Sequence, residues 1–359
     1  MRFIHSGTTR RRAAFAALAT STALVLSACG GGAASEGGGS EGGGSEGGSG
    51  SDGEQTVTFI PKQLNNPYTD VVLGGGEDGA SEAGFASSEV VGPLDASASS
   101  QVSFINAETQ RGTNVIVIAA NDPDAVGPAL EEARTAGAKI VAFDSDTNPD
   151  YRDVFVSQVD AKDVALIQLE LISEQIGGEG EIAILSATAN ATNQNEWIKY
   201  MEEELAANPD YAGIELVAKV YGDDDDTKSF QEAQGLLQAY PDLKGIISPT
   251  TVGIAATGRY LSTSEYKGKV ALTGLGLPNE MRPFVKDGTV TEFALWDPAQ
   301  LGYVAAFAGK ALADGDITGE PGDTFEAGEL GEREIGEGGI VLVGPPTQFN
   351  AENIDDYDF

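Results

Sequence analysis

The side chains that perform most protein chemistry are scarce in this chain. Its one histidine is His5 and its one cysteine is Cys29, so the residues that follow contain neither an imidazole nor a thiol. The residues after Cys29 therefore cannot form Ser-His-Asp or Cys-His nucleophiles, disulfides, or metal sites built from histidine or cysteine. Carboxylate pairs could still hydrolyse a substrate, but no pair stands out among 56 acidic residues. We expect a binding protein rather than an enzyme, with no metal and no cofactor.

Polar runs follow the apolar segments of the chain. They combine carboxylates, amides and hydroxyls with aromatic rings, a mixture that suits a polyhydroxylated ligand. The polar groups can bond to neighbouring hydroxyls while a ring face covers C–H groups. The runs are residues 61–62, 121–122, 144–146, 186–195, 249–251, 274–276 and 296–297.

Two other motifs have familiar spacing in the wrong context. Residues 74–79 fit GxGxxG, yet they begin a turn or more beyond the first apolar run and include two acidic side chains that would repel a pyrophosphate. The four aspartates at 223–226 suggest calcium, but Lys228 and Gln234 stand where an EF-hand needs glycine and a bidentate glutamate. We expect a solvated acidic turn before a helix, with a specific ion site as the alternative.

The elements that position these residues alternate along the chain. Short runs rich in Val, Ile and Phe are typical of strands covered on both faces, and segments with helical spacing lie between them. The predicted strands are 56–60, 115–119, 140–143, 154–157, 182–185, 216–221, 245–248, 270–273 and 292–295. The predicted helices are 69–84, 98–111, 124–136, 161–176, 194–206, 227–240, 252–264 and 298–313. This alternation predicts an α/β fold with two doubly wound parallel sheets, whose ligands bind beyond the carboxyl ends of the strands.

The first 53 residues have the pattern of an export signal and a tether. A basic start, the short apolar run 13–26 and small residues before Cys29 predict a signal peptide over residues 1–28. The ending Leu-Ser-Ala-Cys looks like a bacterial lipobox, which implies that Cys29 is lipidated; an ordinary signal peptide is the alternative. The Gly/Ser/Glu-rich residues 30–53 cannot bury a core, so we expect a disordered tether.

The charge of the chain excludes one class of partner. Four of the 21 Lys and Arg residues precede Cys29 and none of the 56 Asp and Glu residues does, so the chain after the signal has a formal charge of about −39. Neutralising phosphates needs clustered Lys and Arg, so we expect no nucleic-acid binding. The same charge argues against lying on an anionic membrane surface.

From about Val57 to the closing residues 353–359, the chain resembles the sugar-binding branch of the type I periplasmic binding proteins. It is most similar to rhamnose-binding components of ABC transporters and to the closely related autoinducer-2 receptors. The stretches that carry the resemblance are 59–62, 143–147, 191–197, 249–254, 273–278 and 295–298.

The resemblance implies which residues contact the ligand. Autoinducer-2 receptors use a lysine, an aspartate, an Asp-Gln pair, a proline and an alanine, and the matching residues here are Lys62, Asp144, Asn193, Gln194, Pro249 and Thr251. The asparagine and the threonine depart from that pattern and match the rhamnose-type one. To these six we add four strand-end candidates: Asn121, Leu275, Trp296 and Asp297.

Each of these residues has a structural alternative. Lys62 could be a solvated surface lysine. Asp144 could cap the following turn, although we expect Asp146 to do so. Asn193 and Gln194 could cap the helix that begins there.

Trp296, Asp297 and Trp197 also have structural alternatives. Trp296 and Asp297 could be hinge residues, although we favour Asp297 as a ligand of the sugar. Trp197 lies within a predicted helix. We expect it to pack in that helix rather than contact a ligand.

The resemblance implies a lipid-anchored solute-binding protein of an ABC importer, on the outer face of the bacterial cytoplasmic membrane. Hinge closure would trap a monosaccharide, L-rhamnose or a similar deoxyhexose, and present both lobes to the permease. We expect a monomer whose first lobe comprises 54–157 and about 298–318, and whose second lobe comprises 158–297 and about 319–359. An autoinducer-2 receptor and a sugar sensor feeding a signalling receptor are the alternatives.

Overall fold

The computed structural model describes residues 54–359. The predicted signal peptide, Cys29 and the tether lie outside these described residues. Within them the chain alternates strands and helices, and the predicted α/β fold with two parallel-sheet lobes is confirmed. No helix in the described part of the chain is long and apolar enough to cross a membrane.

The strands are short, and the central strands of each parallel sheet are buried over most of their length. In the described residues they are β1 (Thr56–Ile60), β2 (Ser87–Val90), β3 (Val115–Ile118), β4 (Lys139–Phe143), β5 (Val154–Ser157), β6 (Glu179–Ser186), β7 (Gly213–Tyr221), β8 (Leu243–Ser248), β9 (Ala271–Gly274), β10 (Phe293–Leu295), β11 (Thr324–Glu326), β12 (Glu332–Glu334), β13 (Ile340–Leu342) and β14 (Thr347–Phe349). The sequence analysis missed β2 and the last four of these strands.

The helices begin and end close to the predicted bounds. In the same part of the chain they are α1 (Pro67–Ala83), α2 (Ala98–Arg111), α3 (Gly127–Thr135), α4 (Ala161–Ile176), α5 (Thr192–Ala207), α6 (Asp226–Ala239), α7 (Thr251–Thr263), α8 (Pro278–Lys286) and α9 (Pro298–Asp314). Only α8 has no counterpart in the prediction. Local capping fixes several ends: the side chain of Asp160 accepts hydrogen bonds from backbone N–H groups at the start of α4, and Gly177 ends that helix in the left-handed conformation.

The first lobe is a parallel sheet with helices on both faces. Its strand order is β2-β1-β3-β4-β5-β13. Along β3, Val115 and Val117 face the layer of α1 and α9, whereas Ile116 and Ile118 belong to the core cluster on the opposite face. Alternate residues of a strand point to opposite faces, so a strand that is buried on both must be apolar throughout.

The second lobe repeats this arrangement. Its parallel strands lie in the order β7-β6-β8-β9, and a bridge between Leu275 and Ala294 continues the sheet to β10 and its antiparallel partner β14. In both lobes the strand order reverses beside the first strand, at β1 and at β6. Ligands of open α/β sheets bind at such a switch point.

The C-terminal segment divides between the lobes, which corrects the predicted boundary. Residues 319–359 were assigned to the second lobe, but β13 pairs with β5 in the first-lobe sheet, and Ile335, Val341 and Val343 pack in the first-lobe core. From β14 onwards the chain joins the second lobe, where Phe349 is buried. Within residues 54–359 the chain therefore crosses between lobes three times, at 158–160, 296–297 and 343–346. The β13 strand pairs with the edge of β5, which would otherwise be unpaired.

The glycine-rich run that imitates a dinucleotide loop lies inside α1. A Cβ at Gly75 would meet the backbone of Ala299 in α9, and one at Gly79 would meet the backbone of Tyr303. In return, a Cβ at Gly302 of α9 would lie 1.9 Å from the carbonyl oxygen of Val72. These glycines let the two helices pack backbone to backbone.

Candidate functional site

A cleft between the two lobes lies at the carboxyl ends of β1, β4, β6 and β8. Its volume is about 630 Å³, including the part open to solvent. It is lined by Pro61, Lys62, Gln63, Asn66, Tyr68, Thr69, Val72, Ala119, Phe143, Asp144, Asn193, Gln194, Trp197, Asp224, Pro249, Thr250, Thr251, Leu275, Leu295 and Trp296.

Three side chains contact the carboxylate of Asp144 in this cleft. Asp144 follows β4 in a left-handed conformation (φ 59°), which aspartate tolerates better than most residues. Its Oδ1 accepts hydrogen bonds from the hydroxyl of Tyr68 at 2.9 Å and from Nε2 of Gln158 at 2.8 Å. Its Oδ2 lies 3.5 Å from Nζ of Lys62. These partners hold the carboxylate in one orientation at the cleft wall.

Tyr68 links this carboxylate to a crossing segment. Its hydroxyl donates to Asp144 and accepts a hydrogen bond from Nε1 of Trp296 at 3.0 Å. Burial, reinforced by the charge of Asp144, raises the pKa of Tyr68 well above its usual value. The hydroxyl therefore keeps its proton and remains a donor. Sequence reasoning missed Tyr68 because it lies in the first turn of a helix, not at a strand end.

Lys62 and Asn193 meet across the cleft. Nζ of Lys62, at the end of β1, donates to Oδ1 of Asn193 at 3.2 Å. Nδ2 of Asn193, in the first turn of α5, donates to the backbone oxygen of Asp144 at 3.2 Å. These bonds join the two lobes at one point. All three residues are largely buried, so Lys62 is not a solvated surface lysine.

The second lobe adds both hydrogen-bonding and apolar groups. Oε1 of Gln194 accepts from Oγ of Ser186 and from the backbone N–H of Ala187, so its side chain fixes the loop between β6 and α5. Pro249 and Thr251 approach from the loop after β8 and the start of α7. Leu275, which follows β9, contributes apolar surface.

Three aromatic rings form a cluster at the apolar side of the cleft. The ring centroid of Trp296 lies 6.1 Å from that of Tyr68 and 5.9 Å from that of Trp197, both in edge-to-face geometry. We expected Trp197 only to pack within its helix. It packs against Trp296 and lines the cleft as well. Such rings can cover the C–H groups of a ligand.

Two of the ten predicted ligand residues do not line the cleft. The side-chain amide of Asn121 donates to the backbone oxygen of Lys62 at 2.8 Å, so it supports the loop that carries the lysine. Asp297 caps α9 by accepting from the backbone N–H of Ala299 at 3.0 Å and from Nε2 of Gln300 at 3.1 Å. Our preference for Asp297 as a ligand residue is therefore not supported, because these local donors occupy its carboxylate.

The acidic turn at 223–226 also differs from expectation. Asp224 lines the cleft, where its carboxylate accepts a hydrogen bond from Oγ1 of Thr250. Burial raises the pKa of Asp224, against the opposing effects of Thr250 and Lys62. Within residues 54–359, no group of three or more acidic, histidine or cysteine side chains is arranged to hold a metal ion.

The cleft can bind a small neutral molecule rich in hydroxyls. Carboxylates and amide oxygens supply acceptors, Lys62 and Asn193 supply donors, and the rings supply apolar surface. The chain beyond Cys29 contains neither histidine nor cysteine, so the usual activated nucleophiles are missing from this cleft.

Comparison with known families gives a match over most of the chain. A family described as periplasmic binding protein domain matches residues 57–317. The chain is 72% identical to a sugar ABC transporter protein from Actinomyces odontolyticus of known structure, which covers 85% of this chain and 98% of its own, with a TM-score of 0.70.

Two further solved structures were determined with ligands. An ABC transporter solute-binding protein from Clostridium phytofermentas with bound L-rhamnose is 35% identical, covers 84% of this chain and 98% of its own, and has a TM-score of 0.81. LsrB from Clostridium saccharobutylicum, in complex with AI-2, is 26% identical, covers 85% of this chain and all of its own, and has a TM-score of 0.79.

Proposed function

The chain belongs to the periplasmic binding protein domain family as an extracytoplasmic, sugar-binding component of an ABC transporter, and from this premise we propose that its sugar is L-rhamnose or a similar deoxyhexose. Members of this family are solute-binding proteins, not enzymes. The two lobes close on the sugar, and the closed form presents both lobe surfaces to the permease.

One observation carries the assignment of the binding residues. Lys62 and Asp144 of the first lobe each contact Asn193 of the second at 3.2 Å, and lie 3.5 Å from one another, within the cleft. A sugar bound there exchanges these contacts for hydrogen bonds to its own hydroxyls, so that one ligand bonds to both lobes. It favours closure only to the extent that it binds the closed form more tightly.

Deoxyhexoses fit the composition of the cleft. A 6-deoxyhexose such as L-rhamnose combines several hydroxyls with one methyl group, and the cleft combines carboxylate and amide groups with apolar surface from Val72, Phe143 and Leu275. The chain is also more similar to the Clostridium phytofermentas protein solved with L-rhamnose than to the one solved with AI-2.

Binding of autoinducer-2 is the second candidate, because Lys62 and Asp144 match the residues that contact the ligand in the receptors this chain resembles. The asparagine at 193 and the threonine at 251 favour the sugar. A sensor that delivers the same ligand to a signalling receptor would share the site and differ in its docking partner.

Anchoring at Cys29 belongs to the same proposal. A lipid on this cysteine, followed by the Gly/Ser/Glu-rich residues 30–53, would hold a monomeric binding domain near the permease. The domain can then reach the permease without lying on the membrane.

Calorimetry on the mature full chain tests the ligand. The panel is L-rhamnose, L-fucose, D-ribose, D-arabinose and autoinducer-2. We expect L-rhamnose or another deoxyhexose to bind most tightly, with a dissociation constant on the order of micromolar, about −8 kcal/mol. Tighter binding of autoinducer-2 would favour the second candidate, and tighter binding of a pentose would contradict the deoxyhexose.

A further inference from the structure

Asp224 stands apart from its acidic neighbours. Asp223 pairs with Lys228, the side chain of Asp225 caps α6, and both carboxylate oxygens of Asp226 bond to Arg259. These three aspartates therefore stabilise the turn and the helix that follows it. Of the four, only Asp224 is among the residues lining the interlobe cleft in the described structure.

The Asp224 side chain is held in place from one side. Oγ1 of Thr250 donates to its Oδ1, and no donor within residues 54–359 bonds to its Oδ2. Its backbone oxygen accepts a hydrogen bond from Nε2 of Gln63, in the first lobe, at 3.3 Å. The turn that carries it has left-handed backbone angles, with φ values of 55° and 49° at Asp223 and Asp224. One carboxylate oxygen is thus fixed while the other is left to accept a hydrogen bond from a ligand.

We propose that Asp224 is the ligand-binding carboxylate of the second lobe, opposite Asp144 of the first, and that the two together restrict the cleft to uncharged sugars. This inference rests on the proposed function. The nearby second-lobe residue Asn193 carries an amide, so without Asp224 that lobe would offer the sugar no carboxylate. An ionised acceptor bonds to a hydroxyl more strongly than a neutral one does.

The charges of the cleft explain the restriction. Two carboxylates face one ammonium group, that of Lys62, which already contacts Asp144 at 3.5 Å. An anionic ligand would therefore enter a partly buried site of net negative charge, where repulsion is screened less than in water. A neutral sugar meets no such repulsion and supplies the hydroxyl donor that Oδ2 lacks.

Burial is consistent with this assignment. It raises the pKa of Asp224, while Thr250 and Lys62 lower it and the charges of Asp144 and Asp223 add to the rise. A desolvated carboxylate gains more from a hydroxyl donor than one that water already solvates.

Calorimetry of the mature full chain against L-rhamnose, with two matched variants, tests the assignment. Asp224→Asn keeps the size of the side chain and removes its charge, and we expect binding to weaken by about 10-fold to 100-fold. Asp223→Asn makes the same change at the exposed neighbour, and we expect it to bind within about 2-fold of wild type. D-Galacturonate, an anionic sugar of similar size, should bind wild type at least about 100-fold more weakly than L-rhamnose.

The possible outcomes distinguish failure of this inference from failure of the proposed function on which it rests. If wild type binds L-rhamnose and Asp224→Asn binds it equally well, Asp224 is not a ligand residue. If wild type binds D-galacturonate as tightly as L-rhamnose, the restriction to neutral sugars is wrong. If wild type binds no sugar, the proposed function fails and this inference fails with it. Should Asp224→Asn not fold, Thr250→Val removes the donor that holds Oδ1, and unchanged affinity in that variant would overturn the assignment.

Discussion

Polar side chains in the cleft are bonded to one another, so the site is largely preorganised. Asp144 illustrates this, because Tyr68, Gln158 and Lys62 all contact its carboxylate. Gln158 lies on one crossing segment, and Tyr68 bonds to Trp296 on another. The carboxylate that we propose binds the sugar is therefore held by residues on or bonded to the crossing segments, which would connect sugar binding to the geometry of the crossings.

At this scale the first prediction concerns Asp144. Asp144→Asn keeps the left-handed backbone conformation, which asparagine also tolerates, and removes the charge. We expect L-rhamnose to bind roughly 30-fold to 1000-fold more weakly, corresponding to about 2–4 kcal/mol, because a charged acceptor is lost and its partners are left less well paired. Calorimetry measures the affinity, and the melting temperature without sugar shows whether folding has changed. Binding equal to wild type would mean that the site or the sugar is wrong.

The pH dependence of stability gives a second prediction for Asp224. Burial raises the pKa of its carboxyl in the folded state, so the folded chain binds that proton more tightly than the unfolded chain does. The charged form therefore lowers stability at neutral pH, and this penalty disappears as the pH falls below the unfolded pKa of about 3.9. We expect Asp224→Asn to raise the free energy of unfolding at pH 7 and to give a smaller gain at pH 4.

Urea unfolding at the two pH values measures this difference. Asp223→Asn is the control, since its side chain is exposed and lies beside Lys228. A stability gain from Asp224→Asn that does not change with pH would contradict the prediction.

Among the elements, the pair α1 and α9 decides how the first lobe packs. Glycines on both helices meet the backbone of the other helix, so the axes approach more closely than side chains would allow. Asp297 caps the start of α9, directly after a crossing segment. The orientation of this helix pair is thus linked to where the chain enters the first lobe.

Alanine substitutions test that packing. In Gly302→Ala the new Cβ would lie 1.9 Å from the carbonyl oxygen of Val72, so the helices must move apart. We expect the free energy of unfolding to fall by about 1–3 kcal/mol. Gly74→Ala is the matched control, because a Cβ there meets nothing within 4 Å and alanine favours the helix by about 1 kcal/mol. Equal stability of the two variants would mean that the close approach of α1 and α9 is not needed.

Residues 54–359 form two lobes joined by three crossings. Two of these run side by side, because the backbone N–H groups of Val343 and Gly344 bond to the backbone oxygens of Ser157 and Gln158. The third crossing contains Trp296, whose ring lines the cleft, and Asp297, which caps α9. We propose that rotation about these few short segments opens or closes the cleft without disturbing either core.

Localisation gives a prediction at the same scale. Cys29→Ser removes the side chain that we propose carries the lipid, and the Gly/Ser/Glu-rich residues after it have almost no apolar surface to hold a membrane. We expect the variant to be released into the medium or to remain uncleaved. Fractionation with immunoblotting and intact-mass analysis distinguishes these results. A cleaved variant that stays firmly membrane-bound would contradict lipidation at Cys29.

The sequence by itself determined the architecture and most of the cleft. Alternation of buried apolar runs with helical spacing specifies parallel β-α units, because a strand covered on both faces must be apolar throughout. The carboxyl ends of such strands meet at one edge of a sheet. Eight of the ten candidates line one cleft, among them Lys62, Asp144 and Asn193, which lie far apart along the chain.

Tertiary structure alone decided the rest. Tyr68 lies in a helix and Asp224 in an acidic turn, and only packing of the lobes brings them to the cleft. Asp297 follows a strand like the true lining residues, but it also precedes a helix, and the N–H groups of that helix bind its carboxylate. The strand β13 has three residues, too few for a periodic signal, so only pairing with β5 reveals its lobe. Composition and spacing describe which groups a segment carries, whereas the partner of each group is set by the fold around it.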